Sequence, residues 1–202
     1  MSVGLQLVDT KDWNVRLNAS YNTNHNKVLS IGNAVPFAIG GFSSRTVQTV
    51  VAEGQPVGFI RGYKAVLNSD NSLKEILPLQ NLGSTLPTVY GNFSLSASYK
   101  NLSLMINGDY QYGAYVHSFD RQFRFSKGLK DSAIPEKALE GLDQGANWLN
   151  FTNFFVEKSD FVKIRNIGIS YDYKPEKYLK NINFGFNVYN LSLIHISEPT
   201  RH

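Results

Sequence analysis

SDFVKIRNIGISYDYKPEKYLKNINFGFNVYNL, Ser159–Leu191, reads as two strands joined by a polar, Lys-rich turn. Ile167, Ile169, Tyr171 and Tyr173 share one face of the first, and Phe184, Phe186 and Val188 share one face of the second. Period-two alternation of this kind sends one class of side chain to each face of a strand. The pattern recurs upstream. In Asp12–Asn22, Trp13, Val15, Leu17, Ala19 and Tyr21 oppose Asn14, Arg16, Asn18, Ser20 and Asn22. Tyr90–Tyr99 sets Phe93, Leu95, Ala97 and Tyr99 against Asn92, Ser94, Ser96 and Ser98. After a turn at Lys100-Asn101, Leu102, Leu104, Ile106, Tyr110 and Tyr112 oppose Ser103, Asn107, Asp109 and Gln111, with Met105 the one exception. Val3, Leu5 and Leu7 make an opening partial strand.

Each segment has about ten residues, the length a tilted strand needs to cross a bilayer. Tyrosines and Trp13 stand at strand ends, where aromatic girdles meet lipid headgroups. The polar face is mostly Asn and Ser, short and uncharged, as on a hydrated lumen wall; a soluble sandwich carries more Lys, Glu and Thr there. Connections alternate in length. They are short at Asp9–Lys11, Lys100-Asn101 and Lys174–Ile182, and long at Thr23–Val89 and Gly113–Lys158. Short turns on one side and long external loops on the other are the barrel pattern. The fold expected is therefore all-β, and the pattern favours an antiparallel transmembrane β-barrel over a soluble sandwich; with the resemblance given below it becomes a barrel fragment, an open curved sheet of about five to seven strands with two long external loops. Parity then bars Pro56–Leu67 from being a single barrel strand, which makes it an extended segment of the first external excursion. Lys163 and Arg165 share the parity of Ile167, so they face outward, and the strand enters hydrocarbon only near Ile167.

Composition agrees. The 202 residues are 42% hydrophobic and 13% aromatic, yet mean hydropathy is −0.24. No run of about 20 apolar residues offers a membrane helix. With no cysteine, thiol catalysis, disulfide scaffolds and Cys-based zinc sites are excluded. The net charge is +4 with Lys and Arg scattered, which argues against a nucleic-acid footprint. MSVGLQLVDT is not a signal peptide, so an exported protein would start upstream of it.

The chain resembles the C-terminal barrel region of SusC/RagA-type TonB-dependent outer-membrane receptors of Bacteroidetes. The blocks that carry the resemblance are DWNVRLNASYNTNHNKVLSIG (Asp12–Gly32), EGQPVGFIRGYKAVL (Glu53–Leu67), LGSTLPTVYGNFSLSASYKNLSL (Leu82–Leu104) and SDFVKIRNIGISYDY followed by FNVYNL. The resemblance implies a portion, residues 1–190, of a barrel of about 22 strands. It further implies a location in the Gram-negative outer membrane, surrounded by its lipid. A SusD-like surface lipoprotein would act as lid, and the TonB complex would act through an N-terminal plug region that is missing from this chain. A glycan or peptide would be the imported substrate. Residues 191–202, LSLIHISEPTRH, resemble instead a translated sequencing-library adapter, which severs the strand after Asn190 or Leu191 and removes His195 and His202 from functional argument.

No cofactor, metal or catalytic site is expected. His25 and His117 have no acidic cluster at ligand spacing. HSFDRQF (His117–Phe123) is a loop that either contacts substrate or is simply solvated. Asn68–Ser72 lacks the carboxylates of a calcium loop, and Gly40-Gly41 follows no phosphate-loop pattern. The Asn-x-Ser/Thr sequons at Asn18, Asn92, Asn101, Asn150 and Asn190 are what an Asn-rich chain gives by chance. Tyr112, Tyr115 and Trp148, aromatics in or beside the long loops, are the candidates for stacking on substrate. The rival readings are a soluble all-β carbohydrate-binding or adhesin module and a passive porin fragment. Solubility without detergent would favour the first rival. An isolated sheet with an exposed apolar face and free edges is expected to aggregate.

Overall fold

The computed structural model describes residues 1–41, 48–175 and 181–195, the last four by backbone alone. In chain order the first half forms β1 (Ser2–Asp9), β2 (Trp13–Ser20), β3 (Asn22–Thr23), β4 (Phe37–Gly41), β5 (Gln48–Val51), β6 (Phe59–Leu67) and β7 (Leu73–Ser84). The second half forms β8 (Val89–Tyr99), β9 (Leu102–Tyr112), β10 (Tyr115–His117), helix α1 (Phe119–Ser126), helix α2 (Gln144–Asn147), β11 (Val156–Lys158), β12 (Phe161–Tyr173) and β13 (Ile182–His195). Short 3-10 segments cover Glu136–Leu139 and Trp148–Phe155. The chain divides into two compact units.

Unit 1 takes Met1–Thr23, Thr88–Tyr112 and the chain from Asp160 onward. It is an antiparallel sheet in the order β1-β2-β8-β9-β12-β13, with β3 continuing β2 along β8. The register joins the alternating segments into rows. Leu5, Leu17, Leu95, Ile106, Ile167 and Val188 lie side by side across six strands. Trp13, Tyr99, Leu102, Tyr171 and Phe184 form the row at the turn end of the same face. Gln6, Arg16, Ser96, Met105, Gly168 and Asn187 form a row on the other face. The short connections at Thr10–Asp12 and Lys100-Asn101 sit at one end of the sheet, and both long excursions leave from the other. The turn after β12 includes 176–180, outside the described residues.

Among the described residues of unit 1, no second layer covers the apolar face. Its buried described residues are glycines, Gly91, Gly108 and Gly168, whereas Leu5, Ile169 and Phe186 are 49%, 50% and 69% exposed. Two of these glycines have an aromatic partner directly opposite. Tyr110 lies over Gly91 and donates its hydroxyl to the Ser20 carbonyl at 2.9 Å, and Phe93 lies over Gly108. Any side chain at Gly91 would overlap both the Ser20 carbonyl and the Tyr110 ring.

One face assignment is corrected. β12 carries a bulge between Ile164 and Asn166, and an extra residue shifts the alternation by one. Lys163 therefore stands opposite Asp109 on the polar face, and Arg165, the bulged residue, forms a bidentate ion pair with Asp109. Neither points outward. A second irregularity sits at Asn190, which has φ 56°; the β13 backbone continues through it to His195, and 196–202 fall outside the described residues.

Unit 2 takes Asn24–Pro87 and Gly113–Ser159. The first excursion forms a four-stranded sheet, β4-β5-β6-β7, so Phe59–Leu67 is a strand of this separate sheet and not of unit 1. The second excursion is not the open loop expected from its sequence. It forms a β10-β11 pair and the helical segments, and it closes a core over β6. Phe125, Phe151 and Phe155 are at most 1% exposed and pack with Ile134, Ala138 and Ala65. Burying a Phe side chain contributes about 1.5–3 kcal/mol, enough to order a segment that has little regular secondary structure of its own.

Candidate functional site

Two surfaces carry polar chemistry. The first is the Asn/Ser face of unit 1. A concavity of about 450 Å³ opens there, lined by Asn14, Ser96, Ser98, Ser103, Met105 and Ser170 among others. The polar groups lining it are neutral hydroxyls and amides; elsewhere on the same face Asn18 Nδ2 donates to Ser94 Oγ at 3.2 Å and the Arg16 guanidinium donates from Nε to Gln6 Oε1 at 3.1 Å. Farther along, the side-chain Oδ1 of Asn166 is buried with no hydrogen-bond partner among the described residues. Such a wall accepts water and neutral polar solutes.

The second is the polar framework of unit 2. Gln122, fully buried in α1, donates to Thr152 Oγ1 at 2.9 Å and to the Trp148 carbonyl at 3.2 Å. Its Oε1 lies 2.5 Å from His117 Nε2, which makes that ring N–H the donor. Burial pushes the His117 imidazole below its ordinary value, against the Gln122 bond, which raises it. Arg121 bonds both Asp131 oxygens, at 2.5 and 2.9 Å, and also pairs with Glu157. That Arg121 bond chiefly holds the Asp131 carboxyl below the usual carboxylate range. Asn153 reaches back to β6, accepting from the Ala65 N–H at 2.9 Å and donating to the Ala65 carbonyl at 3.3 Å. A side-chain amide thus stands in for the missing neighbour strand.

The aromatics singled out from the sequence fall in different surroundings. Tyr112 ends β9 in unit 1, its ring 6.0 Å from that of Tyr110. Tyr115 belongs to unit 2, where its ring occupies the space a side chain at Gly83 would need. Trp148 packs, partly buried, against the Phe core. His117, Asp120 and Arg121 lie on β10 and α1, in a folded segment and not a solvated loop. Among the described residues no group of three His, Asp or Glu could hold a metal, and no helix is long and apolar enough to cross a membrane, which says nothing of strands. Sequence reading missed Gln122, Thr152 and Asn153. The only signal for them was the spacing of aromatics in FDRQF and WLNFTNFF.

Solved structures share this architecture. The chain aligns over 96% of its length with structures described as the RagAB peptide transporter (TM-score 0.67, 19% identity) and the RagAB peptide importer in the closed-closed state (TM-score 0.67, 17% identity) and open-open state (TM-score 0.64, 18% identity). The likeness is one of fold. The chain spans about a quarter of the chain it matches, 24–25%. No family model and no curated protein matches the sequence.

Proposed function

We propose that unit 1 is a sector of the wall of an outer-membrane β-barrel importer, of the SusC/RagA TonB-dependent type, with its apolar face to lipid and its Asn/Ser face to the lumen. The observation that carries this is the apolar row shared by six strands, with no layer of unit 1 packed on it among the described residues. Aromatics bound that face at both ends. From Leu102, in the row of Trp13 and Tyr99, to Tyr110 is eight residues, about 26 Å along a strand at ~3.3 Å per residue. A tilt of ~40° reduces this to about 20 Å before the rings' own reach is added, close to the ~25 Å apolar band of such barrels.

On this reading residues 1–190 are part of a longer barrel, residues 191–202 are an adapter-derived tail, and unit 2 belongs to the external side. The parent imports a glycan or peptide by binding it at the excursions and lumen, then passing it inward when a plug is pulled by the TonB complex. A SusD-like lipoprotein covers the external side, and this chain performs no catalysis. Tyr112 and Tyr115 remain the stacking candidates, with Trp148 behind them because of its packing.

The test uses the W148F variant of the whole chain, which leaves Trp13 as the single tryptophan. Refolded into vesicles of brominated phosphatidylcholine, Trp13 is expected to be quenched, more by bromines near the headgroup than by those at the chain terminus. A soluble monomer whose Trp13 is not quenched would overturn the reading in favour of a soluble module.

A further inference from the structure

Among the described residues, no carboxylate pairs with Arg61. It sits half-buried in the middle strand pair of unit 2, in a row of planar polar groups formed by Gln48 on β5, Arg61 on β6 and Asn81 on β7. Val50 and Phe59, one step along the same face, are 0% and 4% exposed, so the guanidinium stands at the border of an apolar patch. It donates one hydrogen bond, from Nη2 to Gln48 Oε1 at 2.6 Å. Among the described residues it has no ion pair. The contrast with Arg121 is plain, since that guanidinium in the same unit engages two carboxylates. The neighbours of Arg61 are likewise committed but neutral. Asn81 donates to Gln55 Oε1 at 2.7 Å and accepts from the Gly83 N–H at 2.9 Å.

Removing a guanidinium from water without a counter-ion is costly, and Arg has five donors in a fork that matches a carboxylate. Gripped at one corner by Gln48, the fork is held in orientation, and its other donors have no acceptor among the described residues, the preorganisation that bidentate recognition rewards. We propose that Arg61 is the anchor of a ligand-binding site for a carboxylate, with Gln48, Gln55 and Asn81 as the flanking amides that hydrogen-bond the neutral polar groups next to it. The carboxylate belongs either to a peptide C-terminus or to a uronic acid. The inference deepens the reading of unit 2 as the ligand-facing part of an importer. Trp13 quenching reports on unit 1 alone, so failure of one is distinguishable from failure of the other.

The experiment is calorimetric titration of the whole chain in detergent at low salt. One arm compares a tetra-alanine peptide having a free C-terminus with its C-terminal amide. The other compares digalacturonate with its neutral counterpart, galactobiose. One acid is expected to bind at least about 10-fold more tightly than its neutral partner, and the arm in which this occurs identifies the source. R61K, which keeps the charge but loses the fork, is expected to erase most of that preference. R61M should bind neither acid selectively while unfolding at the same or higher denaturant concentration than the parent, because it removes an uncompensated charge. Equal binding of acid and neutral partner in both arms would overturn the proposal. So would an R61M chain that is less stable than the parent, which would make Arg61 structural, or an R61K chain that keeps the full preference.

Discussion

Replacing Asn153 by alanine tests whether unit 2 depends on the amide that completes β6. The Ala65 N–H and C=O are held by Asn153 alone on that side, at 2.9 and 3.3 Å, and Ala65 is 3% exposed. A buried backbone group left unpaired costs about 1–3 kcal/mol. The shorter bond to the N–H belongs at the upper part of that range and the longer one to the carbonyl at the lower, so N153A should destabilise unit 2 by about 3–5 kcal/mol. Trp148 packs against the core of unit 2, so in a W13F background its fluorescence in a urea titration follows this unit alone. N153D separates the two bonds. It keeps an acceptor for the Ala65 N–H but turns a carboxylate oxygen towards the Ala65 carbonyl. The introduced carboxyl is therefore protonated more readily when folded than when unfolded. A folded value raised in this way makes the stabilising contribution complete at low pH and lost as pH rises through that value. N153D should accordingly approach the parent in acid and fall towards N153A at neutral pH. An N153A midpoint shifted by less than about 0.5 kcal/mol, the size of an ordinary surface substitution, would refute the reasoning.

Two further outcomes follow from the geometry. G91A inserts a methyl where the Ser20 carbonyl and Tyr110 ring already lie, so it should cost about 1–3 kcal/mol of overpacking in unit 1, read by Trp13 in a W148F background; Y110F, which removes only the hydroxyl bond, should cost about 1 kcal/mol. The exposed Asp70 carboxylate is held below its usual range chiefly by Lys137, with Ser72 adding to the effect, so the tie between the 68–72 turn and the Glu136–Leu139 segment is complete above the ordinary carboxylate range and is lost as pH falls through and below it. D70N should abolish that acid-limb dependence and the matching salt sensitivity in the Trp148 signal.

How much the sequence disclosed depended on how local each cause was. The strands of unit 1 were legible because alternation is written into consecutive residues, and Trp13–Tyr21 or Leu102–Tyr112 states its two faces without reference to anything distant. The bulge at Arg165 was not. It is imposed by the ladder to β9, where Asp109 stands 56 positions away, and nothing between Phe161 and Ile167 announces it. The same distance hid the core of unit 2. WLNFTNFF looked like an irregular loop because the partners of its phenylalanines, Ala65 and Phe125, come from elsewhere in the chain. Arg61 was overlooked for the opposite reason. In GFIRGYKAVL it falls in a segment read only as extended, and only the absence of a described counter-ion marks it.

The two units spend similar apolar residues under different rules, and that difference is the strongest internal argument for two solvents. Every described hydrophobic residue that is fully or nearly buried, from Val50 to Phe155, belongs to unit 2. There the rule is that of a water-soluble domain, with polar groups such as Gln122 and Asn153 satisfied where they are enclosed. In unit 1 Leu, Ile, Val and aromatic side chains alternate as strictly, yet they stay half exposed on one face while serines and asparagines take the other. In water that arrangement gains little, since apolar area stabilises a fold only when removed from it. It becomes favourable once lipid supplies the missing layer. The bulge sharpens the point, because it withdraws Lys163 and Arg165 from the apolar face to meet Asp109 on the polar one. Both residues lie beside Tyr110, at the rim of the proposed lipid band, where a charge on the lipid side costs about 0–1 kcal/mol, so the bulge removes a small penalty and adds the Arg165–Asp109 pair.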